Sequence, residues 1–200
     1  MSAGPLPGSI PATGESTSTD LMATILGEIH AVIGRLDIGE LDALAIRLQN
    51  STHVVVTGEG RSGFMAKALA MRLMHLGLNV DVVGETTTPA VTADDTVIAV
   101  SGSGTTAQTV RVAEQAQSLG AQVLAVTTDP DSALGRAATA IVHIPAATKY
   151  RKEGEASTIQ PLSSLFDQVC HLAFDAVCLR LALLRRVDNS AARAAHANTE

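Results

Sequence analysis

Apolar positions in this chain follow two different periods. From Asp20 onward, Leu21, Ile25, Ile29, Val32, Ile33 and Leu36 recur at three- and four-residue steps, and Leu41, Leu44, Ala45 and Leu48 continue the pattern after a break near Gly39. This spacing predicts two amphipathic helices ahead of any strand. The pattern then changes to short unbroken apolar runs at residues 53–58, 79–84, 96–101, 121–127 and 140–144. Runs of that kind suit strands covered on both faces, as in a parallel sheet. Helical segments are predicted between them at residues 62–76 and 105–119, each followed by a glycine, Gly77 and Gly120, where a left-handed helix end is easiest. A final long helix is predicted from Pro161 to Leu184, with Pro161 in its first turn and Leu162, Leu165, Phe166, Val169, Phe174, Val177 and Leu181 as its apolar stripe. The expected fold is α/β, a parallel sheet with right-handed helical crossovers.

Residues 1–19 carry Pro5, Pro7 and Pro11 and little to bury, and read as a disordered leader. A single domain is expected over 20–186, with a tail over 187–200. The 200 residues are 46% hydrophobic but only 2% aromatic, so the core is built from Ala, Val, Leu and Ile. A net charge of −6 speaks against nucleic acid and anionic membranes as partners. Cys170 and Cys178 lie in the helical pattern without zinc spacing and read as buried reduced thiols. With no long apolar stretch and no signal-peptide order at the start, the expected location is cytoplasmic.

Two glycine-rich loops carry the chemistry. Val54-Val55-Val56-Thr57-Gly58-Glu59-Gly60-Arg61-Ser62-Gly63 ends a strand in G-x-G-x-x-G and opens a helix, with Glu85 closing the next strand. Taken literally this is a dinucleotide fingerprint, and physically it is a place where backbone amides and a helix N-terminus meet an anion. A tight strand-to-helix turn would need the same glycines. The second loop, Ser101-Gly102-Ser103-Gly104-Thr105-Thr106, combines freed backbone with four hydroxyls at a helix start, which describes a phosphate nest better than a dinucleotide cleft. The competing reading has these hydroxyls merely cap the helix.

Four segments, Gly58-Glu59-Gly60-Arg61-Ser62-Gly63, residues 70–77, residues 83–89 and Ser101-Gly102-Ser103-Gly104, together resemble the 6-phospho-3-hexuloisomerases, enzymes of the sugar isomerase (SIS) domain class. Residues 159–167 are similar to that family as well, and the likeness spans about residues 21–184. It implies a five-stranded parallel sheet flanked by helices, doubly wound and flavodoxin-like, in a homodimer or homotetramer with composite sites and no metal or organic cofactor. The implied reaction interconverts D-arabino-hex-3-ulose 6-phosphate and D-fructose 6-phosphate through an enediol, downstream of a separate 3-hexulose-6-phosphate synthase in the ribulose monophosphate route.

Such a reaction needs a base that can move a proton between two carbons, donors for an enediolate oxygen and an anchor for a remote phosphate. Ser101, Ser103, Thr105 and Thr106 with the amides around Gly102 and Gly104 are the expected anchor. Gly58, Gly60, Arg61 and Ser62 are expected to face the sugar, and Glu85 to bind one of its hydroxyls. The resemblance puts the family's catalytic glutamate just after Phe166, where this chain has Asp167; Ser163 and Leu162 likewise stand where the family often has Gly and Met. His75, by the same resemblance, is a second acid/base candidate, here or in a neighbouring subunit. His171, four residues after Asp167, could pair with it, and Glu153 and Glu155 are alternative bases. A nicotinamide-dependent dehydrogenase, a noncatalytic sugar-phosphate sensor and an arabinose 5-phosphate isomerase are the rival readings.

Overall fold

A computed structural model describes residues 16–198, so most of the expected leader lies outside the described residues. The chain runs α1 (Ser18–Ile33), α2 (Ile38–Asn50), β1 (Val54–Gly58), α3 (Gly60–His75), β2 (Val80–Val82), β3 (Thr96–Val100), α4 (Ala107–Ser118), β4 (Gln122–Thr127), α5 (Ala133–Arg136), β5 (Ala140–His143), α6 (Ser164–Arg185) and α7 (Asn189–Ala194). The strands form one parallel sheet in the order β2-β1-β3-β4-β5. This is the doubly wound, flavodoxin-like arrangement, with its reversal of direction between β1 and β3.

Alternation along the strands divides the core into two layers. Val54, Val56, Ile98, Val100, Leu124 and Val126 point to the side covered by α1, α2, α3 and α6. Val55, Val97, Ala99, Val123 and Ala125 meet α4 and α5 on the other, where Ala113 and Ala116 let α4 approach closely. Helix α6 is the central element of the first layer: Leu165, Phe166, Val169, Cys170, Phe174, Val177, Cys178 and Leu181 are all buried. Both cysteines are free thiols whose burial pushes their pKa up, Cys178 to about 11.

Three boundaries differ from the sequence expectation for local reasons. Helix α1 starts at Ser18, because Thr17 caps it and Asp20 bonds back to the Thr17 amide in a capping box. The break before α2 falls at residues 34–37 rather than at Gly39, since the Asp37 side chain accepts from the Gly39 amide and caps α2 there. Pro161 is not in the first turn of α6: Leu162 takes a left-handed backbone, φ 56°, and the helix begins only at Ser164. Two short helices, α5 and α7, were not legible in the apolar pattern, and α7 lies within the expected tail. Gly77 and Gly120, at φ 79° and 87°, follow α3 and α4 as anticipated. Among the described residues no helix is long and apolar enough to cross a membrane.

Candidate active site

The carboxyl ends of β1 and β3 open into a cleft of about 260 Å³. The first loop contributes Glu59, Arg61 and Ser62, and the second contributes Ser101, Gly102, Ser103 and Thr106. The remaining wall comes from far along the chain: Lys149, Leu162, Ser163 and Asp167. This position, beside the reversal of strand order, is where open α/β sheets bind ligands.

Backbone geometry explains the glycines of both loops. A Cβ on Gly63 would lie 2.6 Å from the Gly58 carbonyl oxygen, so only glycine lets α3 start this close to β1. Gly104 adopts φ 63°, and a Cβ there would come within 1.9 Å of Ser132 Oγ. The second loop is braced from below by the end of β4 and the residue after it, since the Gly102 carbonyl accepts from the Thr127 hydroxyl at 3.2 Å and from the Thr128 amide and hydroxyl at 3.0 and 2.8 Å.

Helix caps separate the cleft from the rest of the molecule. Helices α1, α2, α5 and α7 each have a side chain on their first free amides, from Thr17, Asp37, Ser132 and Asp188. Helices α3, α4 and α6 have none, although Glu59, Thr106 and Ser163 occupy their N-cap positions. All three of those residues line the cleft. The reading in which Ser and Thr of the second loop merely cap α4 is therefore incorrect: Thr106 pairs with Ser101 at 3.0 Å and Ser103 with Thr105 at 3.1 Å. Three helix N-termini converge on one space with amides left for an incoming anion.

Asp167 is the one buried carboxylate in the wall, 3% exposed. Burial raises its pKa above the ordinary aspartate value, against the Arg61 charge and the Ser62 hydroxyl, which pull it down. Arg61 Nε sits 3.1 Å from Asp167 Oδ2, and Ser62 Oγ donates toward Oδ1 at 3.4 Å. Arg61 Nη1 also donates to Ser164 Oγ at 2.7 Å, which fixes the plane of the guanidinium. A carboxylate with a raised pKa beside a fixed cation can take and return a proton while the cation steadies a developing negative oxygen.

Other predicted residues lie elsewhere. Glu85 follows a turn beyond β2 and pairs with Lys67 at 2.9 Å on the surface, outside the cleft wall. His75 is at the opposite end of α3 from the first loop and stacks on His196, with ring centroids 5.2 Å apart. His171 pairs with Asp175 at 3.7 Å rather than with Asp167, which turns inward to Arg61. Glu155 is occupied by the Thr148 amide and hydroxyl, and with Glu153 lines a separate cavity. Thr105 is exposed and reaches the site only through Ser103. Sequence reasoning missed Glu59, Lys149 and Ser164, of which Glu59 and Lys149 line the cleft and Ser164 holds Arg61; the only signal for Lys149 was a basic run, Lys149, Arg151 and Lys152, in the polar loop after the last strand.

The SIS domain family matches residues 47–172. A 3-hexulose-6-phosphate isomerase of Bacillus subtilis is 40% identical over 183 residues, 92% of this chain and 99% of that protein. The chain belongs to the 3-hexulose-6-phosphate isomerase family of SIS-domain proteins. A second such isomerase, from Mycobacterium gastri, is 38% identical over 96% of each chain. A Methanococcus jannaschii protein, whose crystal structure infers a molecular function of 3-hexulose-6-phosphate isomerase, superposes with a TM-score of 0.78 at 26% identity, over 90% of this SIS chain and 99% of that one.

Proposed function

We propose that the protein interconverts D-arabino-hex-3-ulose 6-phosphate and D-fructose 6-phosphate at the cleft around Asp167. The observation that carries this reading is the convergence of three uncapped helix N-termini on a space walled by one buried carboxylate of raised pKa. The phosphate lies in the second loop, held by the amides that open α4 and by the hydroxyls of Ser101, Ser103 and Thr106, with the Lys149 ammonium on the outer side. Gly58 and Gly60 shape the first loop, which carries Arg61 and Ser62 to the sugar.

In the forward direction the Asp167 carboxylate removes the proton from C2 of the hexulose. The C2–H electron pair forms the C2–C3 double bond, and the C3 carbonyl pair moves onto oxygen, next to the Arg61 guanidinium. The O2 proton passes to the O3 oxyanion, the O2–H electron pair forms the C2 carbonyl, and the C2–C3 double-bond pair takes the proton back from Asp167 at C3, which leaves a hydroxyl on C3. One carboxylate serves both transfers because C2 and C3 are adjacent and the planar intermediate presents the same face to it.

The chain works as a homo-oligomer, dimer or tetramer, in the cytoplasm, and takes its substrate from a 3-hexulose-6-phosphate synthase in formaldehyde fixation or detoxification. Support for assembly comes from Phe64, Met71 and Met74 on α3 and Leu172, Leu179 and Leu183 on α6, all exposed although large and apolar. In that assembly His75 serves a neighbouring subunit's cleft.

The test is a coupled assay in which purified protein receives hex-3-ulose 6-phosphate made in situ from ribulose 5-phosphate and formaldehyde. Protein-dependent fructose 6-phosphate, above the synthase-only control, is expected. Its absence, with sugar phosphates still raising Tm, would favour a noncatalytic sensor.

A further inference from the structure

Among the described residues, Arg151, Leu162 and Arg186 hold a left-handed backbone without being glycine. Arg186 ends α6, an ordinary place for that conformation. The other two belong to one construction beside the cleft. For a leucine this backbone sets Cβ against the following carbonyl, and it persists only where the surroundings overdetermine it.

The surroundings do so from both sides. Upstream, Glu28 on α1 accepts from the Thr158 hydroxyl at 2.6 Å, the Ile159 amide at 2.7 Å and the Gln160 side-chain amide at 3.0 Å. Arg151 donates to the Gln160 carbonyl. Downstream, Ser164 Oγ donates to the Pro161 carbonyl at 2.8 Å while it receives Arg61. Leu162 is clamped between these anchors, is 61% exposed as a residue, and lines the same cleft as Asp167. For folding alone glycine would serve better here, because the apolar side chain is mostly left in water and the backbone is strained.

We propose that Leu162 is a substrate-covering residue, whose side chain lies against the carbon chain of the bound sugar phosphate and shuts water out from Asp167 and the enediolate. This inference rests on the isomerase reading. The strain and the exposure are compensated only when ligand fills the cleft, where the leucine loses water contact and the proton on Asp167 is kept from exchanging with solvent.

The experiment compares wild type, Leu162→Gly and Leu162→Ala as full chains, reading Tm, kcat/KM, sedimentation and the deuterium that enters fructose 6-phosphate per turnover in D₂O. Leu162→Gly relieves the strain and is expected to raise Tm by about 2–4 °C. It should lower kcat/KM by about tenfold or more, with a larger share of solvent deuterium in the product. Leu162→Ala should show the same kinetic losses without the gain in Tm. A lower Tm for Leu162→Gly overturns the strain argument. Unchanged kcat/KM and deuterium content overturn the covering role, and so does a changed oligomer with unchanged kinetics, which would assign the leucine to a subunit contact. Wild type without isomerase turnover removes the functional reading and this inference with it, whereas an active wild type matched by both variants removes this inference alone.

Discussion

Replacing Asp167 by Asn separates catalysis from stability, because the two are expected to move in opposite directions. The substitution keeps shape and removes the ionisable oxygen. A positioned general base contributes roughly 10²–10⁴-fold, so turnover should fall by at least ~100-fold while the Michaelis constant changes little. On the stability side, Asp167 is 3% exposed, but its partner Arg61 has a side chain 50% exposed. A pair with one member so well solvated is worth only about 0–1 kcal/mol. The Ser62 contact at 3.4 Å is long for an O–H···O bond, and the asparagine side chain would retain an acceptor for Arg61. Against these small losses stands the burial of a carboxylate, the largest influence on the group and the one that raises its pKa.

The pH dependence follows from that direction. Below the unfolded aspartate pKa of about 3.9, Asp167 is protonated in both states and contributes nothing to the slope. As pH rises past that value the unfolded chain releases the proton while the folded one still holds it, so wild-type stability falls until the raised folded pKa is passed. Asp167→Asn lacks this loss. The Tm difference, variant minus wild type, should therefore grow upward from about pH 4 and then level off. Thermal melts from pH 4 to 8, paired with the coupled isomerase assay, measure both effects. Near wild-type turnover would refute the base assignment, and a Tm difference that shrinks with pH would refute the claim that burial outweighs Arg61.

Three further outcomes are expected. Lys149→Met should raise the Michaelis constant about tenfold, the size of one partly screened charge on a phosphate, and leave kcat nearly unchanged. Gly104→Ala should destabilise by about 2–4 kcal/mol, from a left-handed alanine plus overlap with Ser132, and thermal melts should show Tm down by about 5–15 °C. At the other end of the sheet, burial disfavours charge on His53, but Asp81 at 2.9 Å and Asp95 at 3.0 Å outweigh it and raise the pKa. The stability this group supplies is complete below about pH 6.5 and is lost as pH rises through the raised folded value; melts of His53→Gln should lack that decline.

The inner strands were legible because they are buried on both faces: β3 is buried from Thr96 to Val100, so five residues suffice to mark it, whereas the edge strands β2 and β5 are only partly covered. Both loops were legible as strand-to-helix turns because they carry glycines at positions, Gly63 and Gly104, that leave no room for a Cβ. Residues that reach the site across the fold were not. Ser164 holds Arg61 across 103 positions of chain, and no local pattern announces that bond. Glu85 shows the opposite failure, since its spacing from the first loop suits a ribose or sugar contact. Strand β2 ends at Val82, and the turn that follows carries Glu85 out to Lys67.

Hydroxyls at a helix start are the most ambiguous feature of such a sequence, because capping and anion binding call for the same residue types at the same positions. What decides between them is which amides remain unoccupied after the fold has formed. At α5 the Ser132 hydroxyl turns onto the Gly135 amide, and that helix start is closed. At α4 the hydroxyls pair as Ser101 with Thr106 and Ser103 with Thr105, Ser103 Oγ also accepts from the Thr105 amide ahead of the helix, and none caps the amides of α4 itself. The difference comes from Gly104: its left-handed turn and missing Cβ let the loop lie against Ser132 and Thr127. An alanine at that point would push the loop off β4. The same glycine that shapes the chain thus keeps the α4 amides clear of protein side chains, which is what the proposed phosphate anchor requires, although Gly104 does not itself line the cleft.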